Sequence, residues 1–285
     1  MRWGVEKRLE FIEFRLFWED GINRADIMEQ FGVSVPQASK DLSLYEAKAP
    51  GNLAYNKSEK RYFASPDFKP AFFRPEADRY LAQLRSVSDN LMPPGDSWLS
   101  RLPDYDAMPV PHRRVDVEVL RSVVKAVRQK LALEIRYQSM NAARPEPTWR
   151  WISPHAFAFD GMRWHVRAFC HMDQKFKDFI LSRALDTRAR EPAPRDGRDD
   201  IFWNELFEVI LRPNPLLSSE QQRVIAQDFN MSGGDVAVPV RKALLYYFQK
   251  RLRLDVAKTL DDPHESPVVV ANSGAFNAAL AEAMA

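Results

Sequence analysis

The pair Asp160-Gly161 separates two runs of alternating character, ISPHAFAF (152–159) and MRWHVRAFC (162–170). Asp-Gly readily takes the positive backbone angles of a tight hairpin turn, so the two runs are predicted to fold back on each other as antiparallel strands. Side-chain parity then follows, because successive residues of a strand point to opposite faces. On the second strand Arg163, His165 and Arg167 share one face, and Trp164, Val166 and Ala168 share the other. One face belongs to a core and the other is cationic. ALEIRYQS (132–139) and DFILSRAL (178–185) supply further strands, so a small curved sheet or partly open barrel is expected. Val117, Leu120, Val124, Val127 and Leu131 step by three and four behind a capping Asp116, which predicts an amphipathic helix covering that sheet.

Upstream the apolar period is helical. Leu9, Phe11, Ile12, Phe14 and Leu16 mark a first helix between Gly4 and Gly21. Asn23 caps a second, Arg24 to Phe31, broken by Gly32; Ser34 caps a third, with Pro36 early in it and Leu42, Leu44 and Tyr45 toward its inner side. Two short strands, 53–55 and 61–64, flank a polar turn at 56–60. Helix, helix, turn, helix, hairpin is the order of a winged helix-turn-helix. Another helical pattern lies within 71–88, and 91–111, rich in Pro, Gly, Asp and Ser, marks a domain boundary. Beyond a Pro-rich stretch at 191–198 the pattern predicts a strand at 207–211, a helix at 218–229 capped by Ser218 or Ser219, and a helix at 241–252; from about 261 the composition suggests a loosely held end.

The expected fold class is therefore α+β multidomain. It comprises a winged helix-turn-helix (1–66), a helical and Pro-rich linker (67–112), a β-rich domain (113–190), a small α+β extension (200–262) and a tail (263–285). Hydrophobic residues at 45% and charged residues at 28% suit a chain that buries a core. No run of about 18 apolar residues occurs and residues 1–20 alternate charge with apolar groups, so no membrane association and a cytoplasmic location are expected. Cys170 is the only cysteine and cannot form an internal disulfide.

Enzyme chemistry is not expected. The sequence holds no Gly-rich phosphate loop, HExxH or GxSxG, and its five histidines (112, 155, 165, 171 and 264) lack metal-ligand spacing. Parity also sets Cys170 on the face opposite His165. Neither a metal nor a cofactor is expected.

Charge distribution says more than the net charge of +2. Between residues 112 and 190 sixteen Lys/Arg stand against eight Asp/Glu, whereas residues 1–65 carry ten of each. On the third helix Ser34, Gln37, Ser39, Lys40 and Ser43 are placed to reach base edges and phosphates, because a recognition helix enters the major groove by its N-terminal part. Lys57, Lys60 and Arg61 on the wing suit adjacent phosphates. The competing reading is a plain three-helix packing unit. The strand-face residues Arg167 and His165, with Arg150, His155, Arg183, Tyr137 and Ser139, suit either a solvated basic face or a pocket for an anion such as a nucleotide, since guanidinium groups fork onto phosphate and stack on planar rings.

The run from Leu133 to Arg183, with Tyr137, Ser139, RWISPH (150–155), GMRWHVRAFC (161–170) and ILSRA (180–184), resembles a WYL domain, with Trp164-His165-Val166 in place of the Trp-Tyr-Leu tripeptide. The whole layout is similar to the WYL-domain winged-helix regulators of the BrxR and CapW type found beside bacterial anti-phage systems. That resemblance implies an Sm/SH3-like β-barrel for the middle domain and a C-terminal dimerisation extension. It further implies a homodimer repressing from a palindromic double-stranded DNA operator, and a nucleotide or oligonucleotide effector at Tyr137, Ser139, Arg150, His155, His165, Arg167 and Arg183. An alternative function is a single-stranded nucleic-acid-binding accessory module using the basic face.

Overall fold

Caps decide where the first helices begin. In the computed structural model, which describes residues 3–19, 21–89, 91–99, 102–106, 108, 111, 113–256 and 262–284, α1 spans Trp3–Trp18. Asn23 accepts the Asp26 N–H at 3.1 Å while the Asp26 carboxylate accepts the Asn23 N–H at 2.7 Å, a reciprocal box that opens α2 (Arg24–Phe31). Gly32, left-handed at φ 61°, closes it. The Ser34 hydroxyl then accepts the Gln37 N–H and opens α3 (Val35–Lys48). Leu9, Phe11, Ile12, Ile27, Ala38, Leu42 and Tyr45 meet in one core beneath the three helices.

The wing is the antiparallel pair β1 (Leu53–Asn56) and β2 (Arg61–Ala64). It is sewn to the helices by Ile22, whose N–H and C=O each exchange a 2.8 Å bond with Tyr62. That close approach requires Gly21: its φ is +88°, and a Cβ there would lie 2.3 Å from the Tyr62 carbonyl oxygen. α4 (Ala77–Ser88) starts later than the pattern at 71–88 predicts. Residues 71–73 spend their N–H groups on the fully buried Glu13 carboxylate (2.8, 2.7 and 2.7 Å), and Pro75 disfavours helix at the residue before it.

The chain divides into two compact units, Met1–Val110 and Pro111–Ala285. Residues 112 and 261, where the sequence placed a linker end and the start of a loose tail, lie outside the described residues.

In the second unit Asp116 caps α5 (Val117–Gln129) as predicted, and Val127 and Leu131 of the expected stripe pack on the core, but the most deeply buried stripe is a neighbouring one. Val119, Ser122, Val123 and Ala126 are buried against the sheet, whereas Val117 is 74% and Leu120 37% exposed. Small side chains are what allow a helix to lie close on strands, and Ser122 is further engaged by Arg190 at 3.0 Å.

The sheet contains β3 (Leu131–Tyr137), β4 (Thr148–Phe159), β5 (Trp164–Cys170), β6 (Lys175–Ile180) and β7 (Ala184–Pro192) in the order β6-β5-β4-β3-β7. The predicted hairpin closes at Phe159 opposite Trp164. Its loop is four residues long rather than two, because the Asp160 carboxylate collects the N–H groups of Met162 (2.8 Å) and Arg163 (2.7 Å) around Gly161. The run 178–185 is split by a 3-10 turn at Leu181–Arg183. Among the described residues no ladder joins β6 to β7.

The remainder comprises α6 (Ile201–Asn204), β8 (Leu206–Pro213), α7 (Ser219–Asp228), β9 (Val236–Arg241), α8 (Leu245–Arg251), β10 (Val268–Val270) and α9 (Ser273–Met284), with sheet order β10-β8-β9. The helix expected at 241–252 is shorter, since Arg241 completes β9 and a 3-10 turn intervenes. The expected loose end is instead built in: α9 buries Phe276 and Ala279 beside Val209, Leu211 and Leu245. No helix among the described residues is long and apolar enough to cross a membrane.

Candidate functional site

On α3 the outer face carries Lys40 and Ser43, both exposed, with Ser39 half-buried beside them. Ser34 is spent as the cap. Gln37 is half-buried and donates from Nε2 to Asp41 Oδ1 at 2.9 Å; Asp41, 2% exposed, is held by Arg8 of α1. Asp41 was missed by the sequence reading, although an acidic residue on the inner face of a helix signals a partner. Lys57 and Lys60 stand exposed on the wing turn. Arg61 is placed differently: its guanidinium donates to the Gly21 carbonyl at 2.8 Å and meets Asp26 at 3.3 Å, tying the wing to α2.

The sheet divides the seven predicted ligand residues into two groups. His155, His165 and Arg167 lie beneath the C-terminal segment, and each meets a carboxylate. Arg167, 6% exposed, donates from Nε to Asp200 Oδ2 at 2.8 Å and from Nη2 to Asp200 Oδ1 at 3.2 Å, with Asp178 at 3.4 Å from Nη1. His155 Nε2 meets the same Asp200 Oδ2 at 3.0 Å, and Gly197 makes room for its ring, since a Cβ there would lie 2.8 Å from Nδ1. His165, 1% exposed, pairs through Nε2 with Asp160 Oδ2 at 2.9 Å and lies 4.7 Å from the Tyr247 ring. The Tyr247 hydroxyl donates to Asp178 at 3.1 Å.

The electrostatics follow from this packing. Burial works to raise the Asp200 carboxyl, but hydrogen bonds from His155 and Arg167 outweigh it and hold the group below the usual carboxylate range. Burial likewise opposes, and His165 with the Met162 and Arg163 donors overcomes, the shift at Asp160, which is also lowered. At Asp178 burial prevails over Arg167 and His165 and the carboxyl is raised. The expected basic strand face is thus a buried seam in which Asp160, Asp178 and Asp200 face Arg167 and the two histidines. Asp178, Asp200 and Tyr247 escaped the sequence reading because they come from 11 to 82 residues away from their partners Arg167 and His165 in the chain; only the capping role of Asp200 before α6 was a local sign.

Tyr137, Ser139, Arg150 and Arg183 form the other group, around the end of β3. Arg150 is 4% exposed, sits 5.4 Å from the Tyr137 ring centre, and bonds Thr148 Oγ1 at 2.6 Å, while its buried Nε has no partner. The Tyr137 oxygen accepts the Ile180 N–H at 3.1 Å. Burial pushes its phenol up, against the pull of the Ile180 N–H and of the Arg183 guanidinium. Among the described residues no carboxylate pairs with Arg150 or Arg183. The Ser139 hydroxyl accepts the Asn141 N–H at 3.1 Å and shapes the following turn.

Cys170 is buried with its thiol against Asp173 at 3.3 Å, and burial raises its pKa. No group of three or more His, Cys, Asp or Glu among the described residues is arranged to hold a metal.

A winged helix followed by a WYL-type sheet and an α+β extension defines a class of DNA-associated regulator. Sequence profiles agree segment by segment: the BrxR transcriptional regulator winged helix-turn-helix domain matches residues 4–86, the WYL domain 118–188, and the BrxR transcriptional regulator C-terminal dimerization domain 206–276. The DNA-binding transcriptional repressor CapW of Stenotrophomonas maltophilia is 40% identical over 96% of this chain and 91% of its own length. The CapW repressors of Escherichia coli strain KTE188 and Pseudomonas aeruginosa are 35% and 38% identical, over 98% and 89% of this chain and 93% and 84% of theirs. The chain belongs to this CapW family of winged-helix, WYL-domain proteins.

Proposed function

We propose that the chain is a transcriptional repressor that binds a palindromic operator as a homodimer, and that an anionic ligand, a nucleotide or nucleic-acid-like molecule, modulates its hold on DNA. The role is regulatory rather than catalytic, and the resemblance of layout supports control of a phage-defence operon. The observation that carries the reading is a capped α3 with Lys40 and Ser43 on its outer face in a chain whose relatives are named DNA-binding repressors. In this reading 1–66 contacts DNA, 67–112 joins, 113–190 senses and 200–262 dimerises, with α9 extending the last part. The strand order β6-β5-β4-β3-β7, with a 3-10 turn between β6 and β7, supports an Sm/SH3-like barrel in the sensing part.

Of the expected ligand residues, Arg150 and Arg183 with Tyr137 and Ser139 take the effector. Their guanidinium groups lack carboxylate partners among the described residues, so an anion there gains charge-assisted hydrogen bonds without displacing a salt bridge. Arg167, His155 and His165 serve the seam. The ligand acts through unequal affinity for two dimer geometries, only one of which sets the α3 helices about one or more helical turns apart.

The test is fluorescence anisotropy with a labelled duplex from the chain's own promoter. Specific binding is expected, weakened by Lys40→Ala, and relieved by a short deoxyoligonucleotide in the wild type but not in Arg150→Met. Unchanged binding in Lys40→Ala with loss in Arg150→Met favours the single-stranded nucleic-acid module instead.

A further inference from the structure

Gln37 occupies the first turn of α3, its backbone N–H taken by the Ser34 hydroxyl at 3.4 Å. Its side-chain amide is held as well. Nε2 donates to Asp41 Oδ1 at 2.9 Å, and Arg8 donates to the same carboxylate twice, from Nε to Oδ2 at 2.6 Å and from Nη2 to Oδ1 at 3.2 Å. Arg8 is in turn anchored through Nη1 to the Gly4 carbonyl at 3.0 Å. A carboxylate clamped by a guanidinium only accepts hydrogen bonds, so the amide beside it has to turn its NH2, and not its carbonyl, toward Asp41. One amide hydrogen is consumed there. What remains for a partner is one acceptor, Oε1, and one donor, the second Nε2 hydrogen, side by side.

We infer that Arg8 and Asp41 are positioning residues that set Gln37 to read adenine in the major groove. Adenine offers the N6 amino donor and the N7 acceptor, which match the Oε1 and Nε2–H pair. Guanine offers two acceptors, O6 and N7. A free glutamine satisfies them by pointing both amide hydrogens outward, and the bond to Asp41 removes that pose. Fixing a flexible amide before contact also lowers the ordering cost of binding. The inference rests on the reading of α3 as the recognition helix and adds to it a specificity device two side chains away from the DNA.

The experiment is selection of bound sequences from randomised duplexes by the full chain, followed by anisotropy on single-base variants of the preferred site. In the wild type one position per half-site should favour adenine over guanine by about tenfold or more. Gln37→Ala should erase the preference at that position alone. Asp41→Asn places a donor where an acceptor stood, so the Gln37 carbonyl turns inward, both amide hydrogens face the groove, and the preference at that position moves to guanine. Arg8→Met, which keeps the Asp41 carboxylate but frees it to turn, covers the case in which Asp41→Asn melts early by circular dichroism; it should reduce the adenine preference several-fold and leave the other positions unchanged. If the chain binds specific duplexes and Lys40→Ala weakens them all, while Gln37→Ala and Arg8→Met leave every base preference intact, the clamp is refuted and the repressor reading stands. If no duplex sequence is preferred at all, the recognition-helix reading falls and the clamp with it.

Discussion

Glu13→Ala is expected to be among the most damaging single changes in the N-terminal unit. The carboxylate is fully buried and accepts four donors: the Tyr45 hydroxyl at 3.0 Å and the backbone N–H groups of Ala71, Phe72 and Phe73 at 2.7–2.8 Å. Truncation to alanine leaves those donors facing apolar side chains. A buried donor left without a partner costs about 1–3 kcal/mol. Ala71 lies near solvent and can recruit water, so three stranded groups set the loss at roughly 3–9 kcal/mol. Domains of this size hold about 5–15 kcal/mol in all, so the unit should be close to unfolding at 37 °C.

Glu13→Gln should lose less, about 1–3 kcal/mol, because its carbonyl can still serve Phe72 and Phe73 while its NH2 opposes the Ala71 N–H. The two-unit chain calls for a measurement that resolves regions, since one global midpoint would mix two transitions. Hydrogen exchange of the full chain supplies it. Protection at Phe72 and Phe73 and along α1 should collapse in Glu13→Ala, fall partly in Glu13→Gln, and stay unchanged in Pro111–Ala285. Wild-type protection of α1 in Glu13→Ala would show that the carboxylate contributes nothing net, and the reasoning from stranded donors would be wrong.

Gly21→Ala should push β2 off Ile22, through a 2.3 Å approach of the new Cβ to the Tyr62 carbonyl and a φ of +88° that disfavours alanine, at a cost of about 1–3 kcal/mol. An unshifted first melting transition would contradict this. Acidification should loosen the seam around Arg167. The Asp160 and Asp200 carboxyls are lowered in the folded state, so their stabilisation is complete above the unfolded value near pH 4 and is lost as pH falls through the lowered folded values. Asp178, raised by burial, contributes in the opposite sense, and the decisive comparison is Asp200→Asn, whose stability should vary less with pH between about 4 and 2 than the wild type's. Ending the chain after Asn272 removes Phe276 from its core and should cost the C-terminal part at least the roughly 3–5 kcal/mol of a buried phenylalanine. Sedimentation equilibrium should show weakened dimerisation; an intact dimer would place the interface elsewhere.

Local chemistry was legible in the sequence where one residue decides. Asn23, Gly32, Ser34 and Asp116 each terminate or open a helix by satisfying a backbone group next to them, and all four act as expected. The buried face of α5 was legible only in part, at Val127 and, just past its end, Leu131, because a Val-rich helix offers two stripes at helical spacing and only the shape of the sheet chooses between them. The cationic strand face was read correctly for parity and wrongly for environment. His165 and Arg167 do share a face, but His165 meets Asp160 in the adjoining turn while the carboxylates of Arg167 arrive from Asp178 and Asp200, and no local pattern announces a partner 33 residues away. The tail misled through composition: alanine suits helices as readily as loose ends, and Phe276 with Ala279 supplies the anchor.

Asp200 belongs to the segment that follows the five-stranded sheet, yet it completes the charge of that sheet. A protein cut after residue 190 would expose Arg167 and His155 stripped of this carboxylate, within a stretch of sixteen basic and eight acidic side chains. Such a fragment would attract RNA, heparin or any other polyanion through groups that the intact chain keeps satisfied, and its affinity would record where the scissors fell.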